Sequence, residues 1–120
     1  MIIAITSEGA TPESQLDPRF GRAKYFLIYD DESEMWKAVD NKQNFQAAQG
    51  AGIQAAPAIA NKKCNVLITG HCGPKAFRTL SAANIDIYLC KSGTVEESLE
   101  KFKKDELNKI ENADVEGHWS

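Results

Sequence analysis

A chain of 120 residues, 42% hydrophobic and 26% charged, has the length and balance of one globular domain with a single core. Its formal net charge of −3 excludes a protein that lives on nucleic acid through a generally basic surface, so any anion site has to be a local pocket. No apolar run approaches a membrane span, Met1 to Ile5 lacks a charged leader, and three cysteines are an odd number for a disulfide framework. These features predict a cytoplasmic protein with free or metal-bound thiols and with neither nucleic acid nor membrane as partner.

Residues Ile2 to Thr6 form a short apolar strand. A long polar connection from Ser7 to Lys24, with Gly9, Pro12, Pro18 and Gly21, follows it, and a loop of that length in a small domain is more often functional than decorative. Tyr25 to Tyr29 is dense in β formers, Asp30 to Glu34 reads as a solvated turn, and Met35 to Asn41 completes an antiparallel hairpin. From Gly50 to Lys63 small residues with Ile53 and Ile59 suit a helix pressed onto a sheet, kinked by Pro57 or beginning near it. A buried strand over Asn65 to Thr69 precedes a glycine loop and a helix over Lys75 to Ala83, with Asn84 as its cap. Ile85 to Cys90 is the last predicted strand. Thr94 and Glu97 have capping-box spacing for a final helix whose inner face is Val95, Leu99 and Phe102. After Leu107 the apolar spacing fades, so the expected organisation is one α/β domain over 1–107 and a loosely held tail over 108–120.

This order implies a mixed sheet of about five strands covered by helices, with right-handed crossovers between parallel strands. Ligands of such sheets bind beyond the carboxyl ends of the strands, where Ser7 to Lys24, Gly70 to Pro74 and Lys91 to Gly93 should meet. Cys72 and Cys90 fall at that edge. Cys64, at the start of a strand, falls roughly 15 Å away at the opposite edge and is expected to be a buried or neutral thiol.

The stretch Thr69-Gly70-His71-Cys72-Gly73-Pro74-Lys75 carries the chemistry. It sets an imidazole and a thiol between a strand and a helix that Pro74 can begin, a place that binds anions and can ligate soft metals. Arg19, Arg22, Lys75 and Lys91 could neutralise a polyanionic cluster there, Gly70 and Gly73 shape the loop, and His71, Cys72 and Cys90 are the candidate metal ligands.

Four separated segments resemble those of the dinitrogenase iron-molybdenum cofactor biosynthesis family. They are the Ile3-Ala4-Ile5 strand, Asp17-Pro18-Arg19-Phe20-Gly21-Arg22-Ala23 running into Tyr25-Phe26, Gly70-His71-Cys72-Gly73-Pro74-Lys75-Ala76-Phe77, and Gly93-Thr94-Val95-Glu96-Glu97. The resemblance implies a ribonuclease H-like fold, a mixed five-stranded sheet with helices on both faces. It also implies a carrier or scaffold, not an enzyme, for a metal-sulfur cluster of iron-sulfur, iron-molybdenum or molybdenum-copper type. Metallocluster donor and acceptor proteins would be its partners, and the carrier a monomer or homodimer.

Two enzymatic readings compete. His71-Cys72, five residues, then Arg78-Thr79 fits a cysteine phosphatase loop, in which a thiolate attacks phosphate held by loop amides and arginine. Pro74 removes one of those amides, and the general acid would have to be Asp17 from a distant loop. Nuclease chemistry needs carboxylates on the strands to hold two metal ions, and the first strand carries none. His118 beside Trp119 could fold back over the cluster as a further ligand.

Overall fold

β1 (Ile2–Ser7) is the strand about which the sheet is built, and its sequence shows why. It is apolar at every position from Ile2 to Ile5, as a strand covered on both faces requires, and Ile3, Ala4 and Ile5 are all buried. Alternation sends Ala4 into one core cluster and Ile3 and Ile5 into another. The computed structural model describes residues 1–41 and 51–111, with side chains in the segment after 50 described from Ala56 onward.

β2 (Tyr25–Asp30) lies antiparallel to β1, and β3 (Met35–Asp40) antiparallel to β2 as the outer strand of the hairpin. The turn between them is held by Asp30, whose side chain accepts the Glu32 N–H at 2.9 Å and whose carbonyl accepts that of Glu34 at 2.7 Å. β4 (Val66–Thr69) and β5 (Asp86–Leu89) follow in parallel on the other side of β1. The hairpin expected from the β formers is present, and so are both parallel neighbours.

The sheet has six strands in the order β3-β2-β1-β4-β5-β6, which corrects the expectation of five. The extra strand, β6 (Asn108–Lys109), pairs antiparallel with β5 and lies where a loose tail was expected to start. It is held by main-chain pairing, by the Ile110 N–H bond to Ile87 O at 2.9 Å and by a Lys109–Asp86 ion pair at 3.3 Å. None of these leaves an apolar alternation in the sequence.

Helices cover both faces. α1 (Ala51–Asn61) and α2 (Pro74–Ala82) contact each other, and Ala56, Ile59, Ala76 and Leu80 pack with Ala4, Leu67 and Ile87. Pro57 lies inside α1. α3 (Val95–Lys103) covers the opposite face, where Val95 and Leu99 join Ile3, Ile5 and Ile68. Asn84 ends α2 with φ +63: its N–H reaches Ser81 O at 2.9 Å and the Ile85 N–H reaches Leu80 O at 3.0 Å, the two bonds of a left-handed cap. Among the described residues no helix is long and apolar enough to cross a membrane.

Candidate functional site at the carboxyl edge

β1, β4 and β5 run parallel, so the connections after Ser7, Thr69 and Leu89 emerge on one edge, as the sequence order implied. The 8–24 connection is sewn to both of its neighbours by main-chain bonds. Leu16 N–H binds Gly93 O at 3.0 Å, and Val95 and Glu96 donate to Ser14 O and Pro12 O, each at 2.9 Å. Thr94 N–H is taken by Glu97 and Glu97 N–H by the Thr94 hydroxyl, which realises the capping box. Every amide from Thr94 to Glu97 is therefore spoken for, and the positive end of α3 is covered by its own chain.

The open ground lies at β4. Pro18 packs so closely on Gly70 that a Cβ at Gly70 would stand 2.8 Å from Pro18 Cα. Arg19 forms a parallel bridge with His71, so loop and site meet at adjoining pairs. Beneath them the Thr6 hydroxyl donates to Asp17 O at 2.6 Å and lies 3.0 Å from the Thr69 hydroxyl. Gly73 is the N-cap of α2, with no side-chain cap, and a Cβ there would meet nothing. The start of α2 thus faces free space, flanked by an exposed Lys75.

The expected site residues divide accordingly. Arg19, Gly70, His71, Gly73 and Lys75 come together around the β4–α2 loop. His71 is half-buried, with Nδ1 shielded from solvent. Lys91 is exposed on the next loop, which the Cys90 N–H bond to Thr69 O ties to β4 at 2.9 Å. Arg22 stands further along, in a turn that Asn41 of the β3 end fastens through Gly21 O and Ala23 O.

The thiols do not converge. Cys72 is fully buried in the cluster containing Phe20, Ala76 and Leu80, on the α1–α2 face. Cys90 is buried with Ile68, Val95 and Leu99 beneath α3. Cys72 and Cys90 thus belong to separate core clusters on the two faces of the sheet, and no group of three or more metal-binding side chains forms among the described residues. Cys64 is buried as expected, and burial pushes its thiol up from 9.0 to about 11 against the opposing charge of Lys62. The same burial of Cys72 bears on the phosphatase reading, because an attacking thiolate must face the loop amides and not the core. Arg78, its required partner, is exposed on α2. His118 and Trp119 lie outside the described residues.

Sequence reasoning did not single out Asp17 as an anchor. It is 1% exposed, and its Oδ1 accepts the Arg19 N–H at 3.0 Å and Arg19 Nε at 3.3 Å. The signal available was local: Asp followed by Pro is a turn former whose side chain bonds the main chain two residues on.

The family model described as dinitrogenase iron-molybdenum cofactor matches residues 1–105 of the chain. The apo form of the orange protein from Desulfovibrio gigas is 35% identical, with a TM-score of 0.90 over 94% of this chain and 95% of that one. A NifB-type protein from Thermotoga is 34% identical, with a TM-score of 0.85 over 97% and 98% of the two chains. An uncharacterised protein of Methanocaldococcus jannaschii is 30% identical over 100 residues, 82% of this chain and 85% of its own length.

Proposed function

The chain belongs to the dinitrogenase iron-molybdenum cofactor family, and on that premise we propose that it binds and carries a metal-sulfur cluster at the carboxyl edge, in cofactor assembly or delivery in the cytoplasm. The cluster is cargo, received from a donor protein and passed to an acceptor, with the carrier a monomer or homodimer and no turnover chemistry of its own. The ribonuclease H-like reading of the fold accompanies this proposal.

One observation carries it. Lys75 and Lys91 are exposed at this edge, and among the described residues neither is paired with a carboxylate. In a chain of net charge −3, unneutralised lysines around an open helix start suit an anionic, sulfide-rich cluster. His71 is the side chain placed against the metal, and Arg19, Lys75 and Lys91 supply charge, with Arg22 at the periphery. Gly70 lets Pro18 close on the loop, and Gly73 keeps the approach open. Cys72 ligates only if the loop turns its thiol outward, so charge does most of the holding.

Anaerobic reconstitution tests the proposal. Incubation with iron and sulfide, or with tetrathiomolybdate and copper, should leave charge-transfer absorption on the protein after desalting. Colourless protein from both regimes removes the cluster reading.

A further inference from the structure

We propose that Asp17 is a positioning residue of the carboxyl-edge site, its buried carboxylate fixing Arg19 alongside His71. The inference deepens the carrier reading and rests on it for what the site holds.

The direction of the Asp17 side chain is set by its own main chain, whose N–H donates to Thr6 O at 3.0 Å and whose carbonyl accepts the Thr6 hydroxyl at 2.6 Å. A carboxylate buried to that degree is costly unless it is hydrogen-bonded and paired. Among the described residues the bonds to its carboxylate are three, all from Arg19: the amide at 3.0 Å, Nε at 3.3 Å and Nη2 at 3.5 Å. The amide bond is the firm one, and it fixes the stretch of main chain that bridges His71. The guanidinium contacts are longer, and the Arg19 side chain remains 61% exposed. Of the five guanidinium donors two are used by Asp17 among the described residues, so the largely exposed group keeps donors to offer an anion. Asp17 thus orients a cation at the mouth of the site without occupying that cation completely.

The test has one arm without cargo and one with it. In the wild-type protein, proton exchange with water at Arg19 Nε–H, followed by NMR, should be slower than at Arg78, which is exposed on α2. Asp17→Asn keeps an oxygen for the Arg19 amide and removes the charge. It should abolish that protection and weaken retention of a tetrathiomolybdate-copper cluster by up to about fivefold, the scale of an exposed ion pair. In an Arg19→Gln background the same change should cost nothing further, because a residue acting through Arg19 has nothing left to act on. Equal exchange at Arg19 and Arg78, or an equal loss of retention with and without Arg19, overturns the proposal. The exchange comparison uses wild-type protein without metal, so it decides the matter even if Asp17→Asn fails to fold. Failure of the carrier reading shows separately, as wild-type protein that retains no cluster.

Discussion

The two edges of the sheet carry the same kinds of side chain and arrange them oppositely. At the amino edge Lys103 stands 3.9 Å from Asp31 and Lys109 3.3 Å from Asp86. The bond to Asp86 raises the pKa of Lys109, and a bond to Tyr29 raises that of Lys103. At the carboxyl edge Arg19 pairs with Asp17 of its own loop, while Lys75 and Lys91 are exposed to solvent. Each edge also has a thiol in the same core cluster, Cys64 below and Cys72 above. Cations at one end are neutralised within the fold, and at the other Lys75 and Lys91 stand open to solvent.

The largest expected effect comes from breaking the contact that assembles the carboxyl edge. In Gly70→Val the new Cβ meets the Pro18 main chain, which cannot swing aside as a flexible side chain could. We expect a loss of about 1–3 kcal/mol in urea unfolding, typical of overpacking, together with loss of cluster retention. Gly73→Ala is the control, since its Cβ enters open space at φ −72 and should change stability by less than about 0.5 kcal/mol. Unchanged stability and retention in Gly70→Val would mean that the loop is held without Pro18.

The thiols sharpen the contrast next. Cys72→Ser and Cys64→Ser each put a hydroxyl into an apolar cluster, at a cost of about 1–3 kcal/mol, so stability alone does not separate the edges. Retention does: with charge doing most of the holding, it should fall measurably in Cys72→Ser, next to His71, and little in Cys90→Ser and Cys64→Ser. Greatest damage from Cys64→Ser in a folded protein would move the site to the amino edge.

Much of this arrangement was legible because it rests on periodicity and caps. The apolar β1, the hairpin, the Thr94–Glu97 box and the Asn84 terminus all leave residue patterns, and chain order alone brings three loops to one edge. The side on which each thiol lies was less plain. For Cys90 the clue existed, because period-two alternation from Ile85 and Ile87 puts Tyr88 and Cys90 on the other face, where both are found. For Cys72 there was none, since it lies in a loop whose burial depends on Phe20 and on packing remote in sequence. β6 escaped notice because two polar residues paired through their main chain carry no hydrophobic signal.

A smaller, pH-dependent effect belongs to the amino edge. Cys64 is raised from 9.0 to about 11, chiefly by burial, so the folded state favours the neutral thiol. The stability this gives is complete below the unfolded value and is lost as pH climbs through the folded one. Wild-type protein should therefore show a falling urea midpoint between pH 9 and pH 11, and Cys64→Ala should flatten that part of the curve. An identical slope in both proteins assigns the alkaline loss to other groups.

The smallest effects should be those of the single lysines, and they bear most directly on what distinguishes the edges. Lys75→Gln and Lys91→Gln each remove an exposed charge and should weaken cluster retention by no more than about fivefold. The double variant should lose about the product of the two, as Lys75 lies in the first turn of α2 and Lys91 on the loop after β5, and they act on the cargo independently. Salt provides the internal check, because screening weakens interactions of exposed charges, so wild type and variants should approach one another as ionic strength rises. Lys109→Gln removes a charge of the same kind at the amino edge, where Asp86 already neutralises it, and should leave retention unchanged at every salt concentration. Were Lys109→Gln as damaging as Lys75→Gln, the cluster would be responding to the net charge of the protein and not to the exposed lysines of the carboxyl edge.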